Sequence, residues 1–238
     1  AQFGIGGEET RGIEIFAGSC RITAAHREAG CDMHPPVEIT LGGDAFDPCL
    51  DQLFRQGSVA WVWLAPPCSS FSPLRNLDVG GPLRPKGQPW GDELRPGVAL
   101  GNALWRRALE LASLANQVGA YFILEHPRNS RAWLLPETQK LMSVSGVQCF
   151  VVEWCAYDCD ERVGDPVRKP TRLLSSAPWL KDVIRKCPGG HTHGPPLRGL
   201  RAKAAGAYPT GFCRELARAR RAWEDGGPAA ECSHLSRV

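Results

Sequence analysis

No stretch of the 238-residue chain approaches the roughly 20 consecutive apolar residues that would span a bilayer, and no membrane partner is expected. The chain has no internal repeat and no low-complexity tract, which argues against solenoid and fibrous architectures. Its first residues lack a basic segment followed by an apolar run, so no secretory leader is expected. A strong charge of either sign is missing as well. With 28 Lys and Arg against 25 Asp and Glu, the net charge is +3 at pH 7. That balance permits contact with nucleic acid without arguing for it.

What is present is an ordinary globular composition, 43% hydrophobic and 22% charged. The length suits one full α/β domain and is too short for two large ones. Ten cysteines are many, but a chain of this length can build a core without disulfide staples. Several lie in apolar runs, as Cys149 does between Val147 and Val152. The reading is a reducing, intracellular compartment with most thiols free and buried, leaving one or two for chemistry.

Along the chain, residues 1–11 are a Gly-rich lead-in and 226–238 a tail expected to be disordered. Apolar patterning predicts strands at 12–16, 37–39, 59–64, 121–124, 147–153 and 172–174. Helices are predicted over 21–29, around 49–56, over 98–118 and over 214–223. The run Val59-Ala60-Trp61-Val62-Trp63-Leu64 is apolar throughout, as a strand buried on both faces would be. Residues 69–97, rich in Pro, Gly and Arg, form a long loop of the kind that carries function. Strand and helix alternate, so the predicted fold is α/β: an open, mainly parallel, Rossmann-like sheet with helices on both faces. In such folds ligands sit at the carboxyl ends of the strands. Three of those ends carry small or reactive residues: Gly18, Cys68 and Glu125.

These residues carry a resemblance. Phe16-Ala17-Gly18-Ser19-Cys20, followed by Glu28-Ala29-Gly30, is similar to the cofactor-binding first motif of the DNA cytosine-5 methyltransferases. Pro66-Pro67-Cys68-Ser69-Ser70-Phe71-Ser72 resembles their Pro-Cys nucleophile loop, with Ser69 where Gln is usual. Glu125-His126-Pro127 resembles their Glu-Asn-Val motif, keeping the acid and losing the Asn. Arg168-Lys169-Pro170-Thr171-Arg172 resembles Gln-x-Arg-x-Arg with only the final Arg preserved, and Gly206-Ala207-Tyr208-Pro209 is weakly similar to the last cofactor motif. The matches are colinear over most of the chain, and the departures mark a divergent, compact branch.

The resemblance implies a single catalytic domain over 12–225 with the methyltransferase form of that fold. It implies methyl transfer from S-adenosylmethionine to carbon 5 of a cytosine flipped out of duplex DNA. If the source is eukaryotic, a nuclear location follows. Cys68 would add to carbon 6, Glu125 would supply a proton at ring nitrogen 3, and Arg172 would hold the ring carbonyl. The cofactor would lie against Phe16, Ala17, Gly18, Ser19, Cys20 and Pro66, with Glu38 on the ribose hydroxyls. Asp44 would sit near the adenine amino group, and Asn102 would be a cofactor contact or a helix cap.

Ser69, Ser70, Arg75, Arg84, Lys86 and Arg198 are the candidate DNA contacts, with Arg95, Arg201 and Lys203 adding to the basic frame. Cys187, His191 and His193 form a C-x3-H-x-H cluster, and Cys155 and Cys159 lie upstream as C-x3-C. Four of these five would suit a tetrahedral structural zinc. A reduced target-recognition insert is expected at about 173–205. Only 33 residues separate Arg172 from Gly206, fewer than the roughly 40 a domain needs to fold without staples. Three other readings stand beside this one: a tRNA cytosine-5 methyltransferase of the same fold, a catalytically inactive DNA-binding relative, and a nucleotide-level enzyme of the thymidylate synthase kind. The last also uses a Pro-Pro-Cys nucleophile, and the glycine turn and Glu38 argue against it.

Overall fold

The computed structural model describes residues 10–73, 75, 82–85, 87–157, 166–195, 197 and 199–226. Lys86, Cys159, Arg198, most of the lead-in and nearly all of the tail therefore lie outside the described residues.

Five strands form one sheet: β1 (Arg11–Ile15), β2 (Val59–Leu64), β3 (Tyr121–Pro127), β4 (Gln148–Glu153) and β5 (Pro170–Ser175). Their order is β1-β2-β3-β5-β4. The β1–β2 and β2–β3 pairs are parallel, while β5 runs antiparallel to β3 and to β4. Four strands thus share one direction, and the sheet is mainly parallel as predicted. The strand predicted at 37–39 is reduced to two isolated parallel bridges on β1, Gly12 with Met33 and Ile15 with Val37. It stops there because the Glu38 carboxylate caps a 3-10 turn over Ile39–Leu41.

Among the described residues, six helices accompany the sheet: α1 (Arg21–Glu28), α2 (Pro48–Arg55), α3 (Pro96–Gln117), α4 (Pro136–Met142), α5 (Gly199–Ala204) and α6 (Thr210–Glu224). Local chemistry starts several of them. Asp47 accepts from Cys49 N at 2.8 Å, and Pro48 opens the first turn of α2, where a missing N–H costs nothing. No side chain caps α1 from its own N-cap position. Instead the carboxylate of Glu14, buried in β1, accepts from Thr23 N at 2.8 Å and Thr23 Oγ1 at 2.6 Å. A negative charge at a helix N-terminus is favourable, so this acid fixes the turn between β1 and α1.

Alternation along β2 sorts the two faces. Trp61 and Trp63 pack with Ile22 of α1, Phe212 and Leu216 of α6, and Trp179. Val62 and Leu64 face the other way, against Phe54 of α2, Trp105 and Leu111 of α3, and Leu141 of α4. Helices cover both faces, which is why β2 reads as one unbroken apolar run. The segment expected to be a recognition insert at 173–205 contributes to this core. Its first residues finish β5, and Trp179 and Leu180 of the 3-10 turn Pro178–Val183 are fully buried.

Candidate active site

Because β1, β2 and β3 are parallel, their carboxyl ends share one edge, with Ile15 opposite Leu64 and Leu64 opposite Leu124. Beyond these residues the chain opens a cavity of about 550 Å³. Its wall includes Phe16, Ala17, Gly18, Ser19, Glu38 and Asp44 at one end, and Pro66, Cys68, Glu125, Lys169 and Tyr208 at the other. A larger hollow of about 740 Å³, between α2, α3 and α4, contains no strand end and is lined by residues such as Arg106, Arg107 and Glu110.

At the first end the backbone is bent into an unusual shape. Phe16, Gly18 and Cys20 all adopt positive φ, of 61°, 52° and 54°. Two non-glycine residues held this way mark a strained turn, of the kind that clusters at functional sites. The Gly18 amide donates to Glu38 Oε2 at 2.8 Å, tying the turn to the end of the neighbouring bridge segment. A side chain on Gly18 would meet no heavy atom within 4 Å, so that position faces open space. Ile39, Phe46 and Leu100 line the same cavity while remaining 83%, 47% and 59% exposed, an apolar rim suited to a flat ring. The Cys20 side chain is not part of the wall; its thiol turns back towards the Gly18 carbonyl.

At the second end, Cys68 stands just past β2, heading the 3-10 turn Ser69–Phe71. Burial and the nearby Glu125 push its thiol pKa up, while Lys169 pulls it down. Glu125 is buried, and desolvation raises its pKa, opposed by Lys169 and by a hydrogen bond from Tyr208. The Tyr208 hydroxyl donates to Glu125 Oε2 at 3.3 Å and accepts from Trp63 Nε1 at 3.1 Å. Glu125 Oε1 is left without a partner. Burial favours the protonated form of this carboxyl, and with one oxygen free such a group can pass a proton to a ligand.

Arg172 is not in this cavity. Cross-strand partners share a face, and Arg172 pairs with His126, whereas Glu125 pairs with Leu173. The Arg172 guanidinium therefore lies on the opposite side of the sheet, 5.4 Å from the Trp133 ring. Since β5 runs against β3, its entering end, not its middle, reaches the catalytic edge. The cation there is Lys169, whose Nζ donates to Ala205 O at 3.0 Å. Lys169 lies three residues before Arg172 in the same basic motif, and it is Lys169 that lines the cavity. Patterning alone gave Tyr208 no role beyond its place in the last cofactor motif, and it left Glu14 unmarked. An acid inside the apolar strand Gly12-Ile13-Glu14-Ile15 was the available signal for Glu14.

The long loop does not present all its basic residues to solvent. Arg84 is 1% exposed. Its guanidinium donates to Ser70 O (3.0 Å), Ser70 Oγ (2.9 Å), Pro89 O (3.0 Å), Trp90 O (2.8 Å), Val98 O (3.3 Å) and Asn102 Oδ1 (2.6 Å). It also stacks 3.6 Å from the Phe71 ring centre. This corrects three expectations. Arg84 and Ser70 are bonded to each other and are not free for DNA. Asn102, bonded to Arg84, Trp90 O and Glu93, is neither a cofactor contact nor a cap. Gly101 makes the arrangement possible, since a Cβ there would lie 2.2 Å from Ser70 Oγ. Ser69, next to Cys68 in the chain, and Arg75 are exposed.

Of the five candidate metal ligands, Cys155, Cys187, His191 and His193 converge, their ligand atoms all within 4.8 Å of one another. Among the described residues every cysteine is free, and no helix is long and apolar enough to cross a membrane.

No family model and no curated protein matches the chain. Solved structures similar to it include a protein described as a DNA modification methyltransferase encoded within an E. coli prophage (15% identity, TM-score 0.42, covering 70% of this chain and 46% of that one). Others are the Dnmt2 methyltransferase of S. pombe (12%, 0.42, 70% and 49%) and a Spodoptera frugiperda DNMT2 mutant (16%, 0.39, 70% and 50%). The chain spans about half the length of these structures. At such scores the likeness carries no argument, and the functional reading rests on the residues of this chain.

Proposed function

We propose that the chain is an S-adenosylmethionine-dependent cytosine-5 methyltransferase acting on DNA. The observation that carries the reading is one cavity with the Cys68 thiol and the buried Glu125 carboxyl at one end and a glycine turn with an acid at the other. The cavity volume, about 550 Å³, falls in the range of small-molecule sites. The residues fit the cofactor: Gly18 allows close approach, Glu38 can accept from ribose hydroxyls, and the rim of Ile39, Phe46 and Leu100 can sandwich adenine. When bound, S-adenosylmethionine supplies an activated methyl group as its sulfonium.

The chain's own residues would do the rest. Cys68 adds to carbon 6 of cytosine, which makes carbon 5 nucleophilic. Glu125 donates its proton to ring nitrogen 3, neutralising the charge that this addition creates. Lys169, in place of Arg172, faces the ring carbonyl oxygen. Once carbon 5 carries its methyl group, loss of the carbon 5 proton expels Cys68. Exposed Ser69 and Arg75 would contact the strand around the flipped base. With the core claiming 173–183, residues 184–205 are left to read the target. That is too little for a reader burying about 1,000 Å² or more, so a short, permissive sequence context follows.

A covalent trap tests the reading. Incubated with the cofactor and duplex DNA containing 5-fluorocytosine, the protein should form an adduct at Cys68 that survives denaturation, because fluorine cannot leave as a proton does. A parallel arm with tRNA carrying the same base distinguishes the RNA reading. Absence of an adduct in both arms, with ordinary substrates also unmethylated, would remove the enzymatic proposal.

A further inference from the structure

We propose that Cys155, Cys187, His191 and His193 bind one structural Zn²⁺, which fastens the 185–194 loop to the end of β4 and holds the Lys169 segment in place. The geometry is specific. Zinc–nitrogen bonds of about 2.0–2.1 Å and zinc–sulfur bonds of about 2.3 Å, set tetrahedrally, put ligand atoms about 3.3–3.8 Å apart. Cys187 Sγ lies 3.6 Å from His191 Nε2 and 3.7 Å from His193 Nε2, and the two Nε2 atoms are 3.2 Å apart. One hydrogen bond between imidazoles would explain the last distance but not the convergence of two sulfurs on the same point. All four positions are taken by the protein, which makes a closed, structural site. On binding, the two thiols lose their protons to solvent and the metal takes both thiolates and two neutral imidazoles.

The ligands come from separate pieces of chain. Cys155 sits in the turn Trp154–Ala156 just after β4, and the other three in the loop that follows the 3-10 turn Pro178–Val183. Glu153 N donates to Arg185 O at 3.1 Å, and Cys187 N to Glu153 Oε2 at 2.7 Å, so the loop already leans on β4. Gly194 N donates to Pro166 O at 3.2 Å, three residues before Lys169. A hollow of about 360 Å³ is lined by Cys155, Cys187, His193 and Lys169 together. Lys169 thus belongs to the walls of both this hollow and the active-site cavity. The inference stands on ligand geometry and does not depend on methyl transfer.

The test uses the full chain, without a polyhistidine tag, purified without chelator from zinc-supplemented cells. Elemental analysis should find about one zinc per chain, and Co²⁺ exchanged into the protein should give the visible bands and sulfur charge-transfer absorption of a tetrahedral two-thiolate site. Stripping the metal should accelerate amide exchange across 166–169 and 185–194 while leaving β1 and β2 protected. Cys187→Ser should lose the metal, and Cys159→Ser should keep it. If Cys187→Ser does not fold, the wild-type cobalt spectrum decides. Zinc well below one per chain together with no tetrahedral cobalt spectrum would overturn the site. Zinc retained by folded Cys187→Ser, or lost from Cys159→Ser, would overturn the ligand set. Unchanged exchange after stripping would overturn the fastening role.

Discussion

His126→Phe should make the protein less sensitive to acid. His126 is fully buried in a box of Phe71, Trp105 and Trp133, and neither ring nitrogen has a hydrogen-bond partner. Burial lowers its pKa to about 3, against a weaker opposing effect of the Pro67 backbone. The sign follows from which state takes the proton. Below the unfolded value of about 6.5 the unfolded chain binds a proton that the folded chain refuses. Stability from this residue is therefore complete above about pH 6.5 and is lost progressively as pH falls towards 3. At about 1.36 kcal/mol per pH unit, the loss at pH 5 is about 2 kcal/mol. Phenylalanine fills a similar volume and cannot be protonated. Buried His26, lowered to about 4, acts in the same direction, and buried Glu14 and Glu125, both raised, act oppositely. All three are present in both proteins and cancel in the comparison. Urea unfolding followed by tryptophan fluorescence at pH 7.5 and pH 5 should show the variant gaining about 2 kcal/mol relative to wild type, or about 4–8 °C in Tm. Parallel stability curves for the two proteins would refute the buried, neutral imidazole.

Glu125→Gln should slow methyl transfer by about 10² or more, as loss of a general acid does, and Cys68→Ala should abolish it while cofactor binding persists. Burial and Glu125 raise the Cys68 thiol pKa, so the wild-type rate should rise with pH from the acid side as the thiolate fraction grows. A flat rate profile would contradict the pairing. Lys169→Met should reduce the rate far more than Arg172→Met, and steady-state kinetics showing the reverse order would restore the role to Arg172. Arg84→Met should destabilise the fold by about 3 kcal/mol or more, since it strips buried carbonyls of charged donors; equilibrium unfolding within about 1 kcal/mol of wild type would contradict the staple.

The sequence by itself determined what local patterning can specify. Strands β1, β2 and β3 are legible because they are short apolar runs ended by Gly18, Pro66 and Pro127. Helix α3 is legible from its period, and α2 from its Asp47-Pro48 start. Cys68 and Glu125 could be chosen because one lies just past, and the other near, the carboxyl end of such a strand, so their common edge is implied once the strands are parallel. The sequence also supplied four of the converging Cys and His side chains. What needed the tertiary structure was direction and facing. Lys169 and Arg172 lie three residues apart in one basic motif, and only the antiparallel entry of β5 puts the first at the cavity and turns the second towards Trp133. Arg84 reads as one more surface cation in a Pro- and Gly-rich loop. Its burial depends on Gly101, Ser70 and Asn102, which come together only when α3 packs against the Cys68 loop. Patterning reports which residues can be inside, but which side chain faces which partner is decided by contacts between segments far apart in the chain.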